Sequence, residues 1–293
     1  MKFSLMIFGA IAAGILLPYG HHFTYLIKYN LVIMLLLAYL NVSFDRGLLR
    51  WSHLFVLIAN LSLPLLFYFT LLPFGTTYAL CAFVMGIVPT AAAAPVLAGF
   101  LRTDVSYVTT SVLVTNPLVA LVLPLLLPML VRVEGSIRVA EVLIPVVAVV
   151  GIPLILSFVI KRSGSKILGL FRKVYWMSFA LFLFNVWIGC SKATNFILFD
   201  NKAGLITVLG IMGVIFVVGL INFQIGARLH HEPPSYASGL ALGRKNTMFA
   251  LWIALDFISP LVALGPIFYI LFQNGYNSLQ IYQVEKKIGL ARD

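Results

Sequence analysis

Two adjacent cations, Arg244 and Lys245, lie in the middle of "SGLALGRKNTMFALWIAL", Ser238–Leu255, a stretch long and apolar enough to cross a bilayer. A charge at the bilayer centre costs several kcal/mol unless something stabilises it. A cation held there can bind an anionic substrate, stand in for a bound metal ion, or exchange a proton. Lys245 is the leading candidate for substrate binding or coupling. Asn246 beside it offers a two-sided amide suited to a carboxylate or hydroxyl. Arg244 is a weaker candidate, because adjacent residues of a helix point about 100° apart and only one need face a site. It has Asp104 or Asp256 as possible partners.

A second interruption falls in "CAFVMGIVPTAAAAPVLAGFLRTD". Pro89 and Pro95 each remove a backbone hydrogen bond and crowd the preceding turn, so a break is expected between them. Thr90, Ala91 and the following alanines give a ligand close access to the backbone there. Thr115 and Asn116, just before Pro117, and Asn60 in another apolar run are further candidates for site lining. His53, Asn222 and Gln224 are weaker ones. The His21–His22 and His230–His231 pairs read as loop histidines, since a metal site needs more ligands at set spacing. No cofactor or structural metal is expected. Cys81 and Cys190 form no CxxC and read as small buried hydrophobes.

Placing these residues requires membrane helices. Hydrophobic residues make up 61% of the chain and charged residues 10%, where a soluble domain carries roughly a quarter charged. Ten apolar runs are legible: Phe3–Pro18, Thr24–Leu40, His53–Leu72, Ala79–Leu101, Ser106–Val131, Glu141–Ile160, Tyr175–Cys190, Gly204–Ile225, Ser235–Leu255 and Phe257–Tyr282. The first is short, and Lys2 followed by "GAIAAG" also suits a signal peptide; counting it as a span makes the number even. Assigned to loops, 13 of the 20 Lys and Arg fall on the side of the termini and four on the other. The positive-inside rule then puts both termini in the cytoplasm. The net charge of +11 is thus a topology signal, and no basic domain or aromatic-basic module points to nucleic acid. Tyr19, Trp51, Tyr175 and Trp176 near span ends fit an interfacial aromatic belt.

The two interrupted spans are the fourth of five and the ninth of ten. Each is followed by an acid in a tight connection, Asp104 or Asp256, and then by "PLVAL", at Pro117–Leu121 and Pro260–Leu264. Five spans is an odd number, so a duplicated half inserts upside down. One transmembrane domain made of repeats 1–131 and 139–283, inverted with one discontinuous helix (breaking near Pro89, Pro95 and Gly243) in each, is an architecture of secondary transporters.

These residues resemble the bile acid:sodium symporter family over nearly the whole chain. The resemblance is carried by "LLLAYLNVSFDRGLLRWSHLFVLIANLSLPLL", "MGIVPTAAAAPVLAGFLRTDVSYVTTSVL", "GLALGRKNTMFALWIAL" and "ISPLVALGPIFYILFQNGYNSLQ". It implies an all-α integral membrane fold with a panel domain of spans 1, 2, 6 and 7. A core domain of spans 3–5 and 8–10 would hold the crossing of broken helices four and nine. It also implies alternating-access transport of an organic anion, usually driven by two sodium ions, in a bacterial inner membrane.

The sodium ligands do not carry over. The family's oxygen-bearing positions fall at Ala94, Pro95, Val108, Val112, Ala241 and Lys245, and its span-three glutamine falls at Ala59, beside Asn60. A hard cation needs oxygen ligands, and these side chains offer none. Only Asn246 keeps the family residue. The expectation is a sodium-independent carrier, proton-coupled or facilitative, with Lys245 replacing a bound cation. A sodium-coupled bile acid or organic anion symporter is the alternative. A channel or transporter-like sensor lacks a signalling domain. A related arsenite-efflux carrier wants a Cys where Thr90 stands. An intramembrane enzyme lacks paired acids, HExxH or Ser-His inside spans. The expected partners are a small organic anion, the lipid bilayer and protons, with no nucleic acid and no obligate protein.

Overall fold

The computed structural model of the chain describes residues 2–41, 49–131, 138–163, 174, 176–200, 204–229 and 235–290, without the side chains of 2–4, 200 and 287–290. The readings of Tyr175, His230 and His231 lie outside the described residues, as do those of several loop cations. Helix makes up 87% of the structure and no strand occurs among the described residues. The helices are α1 (Lys2–Leu16), α2 (Leu26–Asn41), α3 (Trp51–Leu71), α4 (Thr76–Ile87), α5 (Ala94–Phe100), α6 (Val105–Leu130), α7 (Val139–Arg162), α8 (Met177–Asn195), α9 (Leu205–Arg228), α10 (Tyr236–Gly243), α11 (Thr247–Phe257) and α12 (Leu264–Leu290).

Five of these segments are long and apolar enough to cross a membrane: Trp51–Phe74, Val105–Leu130, Val139–Arg162, Met177–Phe199 and Leu205–Arg228. Shorter apolar helices cover Leu5–Leu16, Leu26–Asn41, Thr76–Ile87 and Thr247–Phe257. The chain is a multi-pass helical membrane protein. Lipid-facing apolar side chains cover its outside, among them Leu66, Ile144, Ile155, Ile206 and Leu279. Its polar side chains turn inward, the inversion expected when the solvent is hydrocarbon.

The helices pack in recurring pairs. α3 lies along α4 and α9 along α10; α1 lies on α8 and α2 on α7; α5 meets α6 and α11 meets α12. Small residues permit the closest of these approaches. A Cβ on Gly86 would come 2.9 Å from the Pro64 ring, and one on Gly226 would come 2.8 Å from the Ser238 carbonyl oxygen. A Cβ on Gly14 would come 2.9 Å from the Trp187 carbonyl oxygen, so α1 is seated in the bundle against α8.

Two boundaries differ from the sequence reading. The break expected between Pro89 and Pro95 is present: α4 ends at Ile87, and Pro95 lies in the first turn of α5, where a residue without an N–H costs nothing because no acceptor waits. Asp104 caps α6 by accepting from the Tyr107 N–H at 2.9 Å, but Asp256 is in the last turn of α11 and not in a connection. The last helix starts at Leu264, seven residues late, since Ser259-Pro260 turns the chain away from helical geometry before it can restart.

Candidate functional site

In an unbroken helix the Gly86 carbonyl would accept from the Thr90 N–H, and the Ile87 carbonyl from the Ala91 N–H. Pro89 ends α4 and both donors leave. The Thr90 N–H donates to Thr115 Oγ1 at 3.1 Å, and the Ala91 N–H to the Arg244 carbonyl at 2.7 Å. The freed carbonyls find side chains instead. Lys245 Nζ donates to Gly86 O at 2.6 Å, and Asn60 Nδ2 to Ile87 O at 2.9 Å. Lys245 Nζ also donates to Asn60 Oδ1 at 2.5 Å, closing a ring of three groups.

The second break is treated in the same way. Thr90 Oγ1 donates to Ala241 O at 2.5 Å and the Tyr269 hydroxyl to Gly243 O at 2.7 Å, so the open end of α10 is also satisfied. The Asn246 N–H donates to Pro89 O at 2.9 Å, which makes Thr90 and Lys245 an antiparallel backbone pair. The two interrupted helices are thus joined main chain to main chain. Asn246 Oδ1 accepts from the Phe249 N–H at 3.2 Å and starts α11. Asn116 Nδ2 bridges Thr90 O at 3.2 Å and Val112 O at 2.8 Å, while Thr115 Oγ1 returns to Ser111 O at 2.8 Å. Gly243 leaves room for the Phe223 ring, which a Cβ would overlap.

Lys245, Asn60, Thr90, Thr115, Asn116 and Asn246 therefore meet at one place, with Gly243, Pro89 and Ala91 supplying backbone. Lys245 is 0% exposed. Its ammonium sits on the negative end of the α4 dipole and in a shell of neutral oxygens. Both groups that accept from Lys245, a carbonyl at the C-terminal end of α4 and a side-chain amide, are neutral oxygens.

Arg244 does not pair with Asp104 or Asp256. Asp104 lies 3.2 Å from Arg50 and Asp256 accepts from Trp252 Nε1 at 2.6 Å. Arg244 is extended, with φ −82° and ψ 91°, so it and Lys245 point to opposite sides instead of 100° apart. Lys245 turns to α3 and α4. Arg244 turns to α12, where its Nη1 donates to Asn274 Oδ1 at 3.1 Å; its Nε has no partner among the described residues. Asn274 also borders a cavity of about 190 Å³ between α1 and α12, walled by Ile7, Phe8, Ile270 and Leu271.

The positions expected to lack sodium ligands are buried and apolar. Ala94, Val108, Val112 and Ala241 are each 0% exposed, and Pro95 is partly buried in the first turn of α5. Of the weaker candidates, His53 bridges the Arg50 backbone and Tyr107 O while its ring stacks on Tyr107, as a packed core histidine does. Gln224 is exposed and bonds Tyr276. Asn222 is buried on α9 beside the Tyr269 hydroxyl, which donates to Gly243 O, so it borders the second break. His21 bonds Pro18 O in a short helical turn. No group of three or more His, Cys, Asp and Glu suited to a metal occurs among the described residues.

The sequence reading missed Tyr269 and Asn274, whose partners lie 26 and 30 positions away. It also missed the buried amides Gln273, Asn277 and Gln280, whose spacing of four and three residues was a visible helix-face signal. No protein-family model matches the chain, and no curated protein matches it in sequence.

Proposed function

We propose that this protein is a secondary active transporter of an organic anion, a divergent member of the bile acid:sodium symporter family in which Lys245 holds the place of a coupled cation. The observation that carries this reading is the buried Lys245 ammonium, held by Gly86 O and Asn60 Oδ1 at the junction of two broken helices. A fixed cation removes the need for sodium and leaves net positive charge at the crossing, which favours an anion. Asn246, Thr90, Ala91, Thr115 and Asn116 are assigned to shaping the site, and Arg244 to meeting the substrate.

The matched helix pairs support a fold of ten spans in two inverted repeats, because α1 on α8 corresponds to α2 on α7 under such a repeat, and α3 on α4 to α9 on α10. The panel then comprises α1, α2, α7 and α8, and the core the remainder. The core moves against the panel in alternating access, in a bacterial inner membrane with both termini cytoplasmic. No bond is made or broken in this function, so the protein is not an enzyme.

Uptake of carboxylates and sulfonates into proteoliposomes tests the reading. Transport is expected with choline replacing sodium on both sides. An absolute requirement for sodium refutes the role assigned to Lys245.

A further inference from the structure

Helix α12 buries three amides on one face. Gln273 is 2%, Asn277 3% and Gln280 8% exposed. Gln273 Oε1, both polar atoms of the Asn277 side chain, and Gln280 Oε1 have no hydrogen-bond partner among the described residues. Buried polar atoms are nearly always partnered by protein or water, and four together on one helix face are not chance packing. On the same turns Leu279 and Tyr282, each 62% exposed, face outward. The helix therefore hides its amides and shows its apolar side chains.

The stripe has a defined inner end. Tyr269, Gln273, Asn277 and Gln280 fall within about 80° of arc, and Tyr269 to Gln280 spans roughly 16 Å. That is about half of a ~30 Å hydrocarbon layer. The Tyr269 hydroxyl binds Gly243 O at the crossing, directly before Arg244 and Lys245. The outer end, Gln280, thus approaches one membrane face. Arg244 and Lys245 have amide and carbonyl oxygens as partners and no carboxylate among the described residues, so the inner end is positive.

We propose that Gln273, Asn277 and Gln280 line a hydrated passage for small anions that runs from one membrane face to the crossing. The uncharged amides solvate an entering solute by exchanging hydrogen bonds with water, and the cations at the inner end select its sign. This rests on the proposed function only in that a solute reaches the crossing; it does not depend on Lys245 replacing sodium.

The test needs no transport substrate. Single cysteines replace Gln273, Asn277 or Gln280 in a chain carrying Cys81→Ala and Cys190→Ala, with Ile211→Cys as a buried apolar control and Leu279→Cys as a lipid-facing one. Membrane vesicles are treated with an anionic sulfonatoethyl or a cationic trimethylammonioethyl methanethiosulfonate. The three amide positions are expected to react at least roughly tenfold faster than either control, with the anionic reagent favoured about fivefold or more at 273. Arg244→Gln is expected to bring that preference close to one. Rates equal to that of Ile211→Cys overturn the passage, and equal rates with both reagents overturn its selectivity. Gln273→Leu and Asn277→Leu provide a second measurement in otherwise native chains. Their Tm is expected at or above that of the parent, since an unpartnered amide is removed, and a fall of more than about 5 °C shows bonded structural amides and overturns the passage. Sodium-dependent uptake would refute the reading of Lys245 and leave the labelling pattern unchanged.

Discussion

Replacing Lys245 with Met removes a charge and two donors while keeping most of the side-chain volume. Gly86 O and Asn60 Oδ1 then lose their donor, and Gly86 O cannot regain a helical one because the Thr90 N–H is committed to Thr115. Two buried acceptors left bare cost about 1–3 kcal/mol each. Taking a lysine out of the membrane centre returns about 2.5–3.5 kcal/mol. The two nearly offset, leaving a net change of about 3 kcal/mol or less. The variant should therefore fold, and its loss should appear in binding. An anion separated from Nζ by one layer of atoms, about 6 Å, gains about 2.8 kcal/mol at an effective dielectric of ~20, roughly a hundredfold in Kd. An anion present at ~100 Kd stabilises the parent by about 2.7 kcal/mol; at a hundredfold weaker affinity this falls to about 0.4 kcal/mol. The assay is thermal unfolding of purified protein across a panel of carboxylates, sulfonates and steroid conjugates, with and without sodium. Anion stabilisation equal in parent and Lys245→Met refutes the argument, as does sodium stabilisation that depends on the lysine.

Thr90→Val keeps the shape of the first break but leaves Ala241 O without its donor; a loss of about 1–2 kcal/mol is expected in thermal melts, with Thr90→Ser near the parent. Gly243→Ala drives a Cβ into the Phe223 ring and should cost about 1–3 kcal/mol, partly recovered by Phe223→Leu in the same melt. At the entrance to α6, Asp104→Asn keeps an N-cap and gives up a half-exposed pair with Arg50, so it should cost under ~1 kcal/mol, whereas Asp104→Ala also loses the cap and should cost about 1 kcal/mol more.

The breaks were legible because proline and charge interrupt an apolar run whatever surrounds it. Pro89 and Arg244-Lys245 each marked the end of a helix, and α4 and α10 stop there. Their joining was legible only as a match of position, since the hydrogen bonds between 89–91 and 244–246 link segments about 150 residues apart. Composition could not divide Phe257–Ala263 from α12, because every residue there but Ser259 and Pro260 is apolar. The direction of Arg244 was misread for a local reason. A helical residue and an extended one aim at different neighbours, and the sequence showed an interruption without showing which backbone filled it. Asn60 stood one place from an expected glutamine, and only the fold shows that it reaches both Ile87 O and Lys245.

The junction of the two breaks also bears on how the chain is made. Residues 76–100 leave the ribosome long before residues 241–246 exist. During that interval the carbonyls of Gly86 and Pro89 and the Ala91 N–H have none of the partners they hold in the finished molecule. Hydrocarbon cannot supply substitutes. The nascent first half must therefore shelter this segment with an insertion factor, with water, or with a passing second copy. The arrival of "GRKN" supplies all three partners at once, and Tyr269, synthesised later still, then caps Gly243 O. A chain truncated before Arg244 lacks that seal.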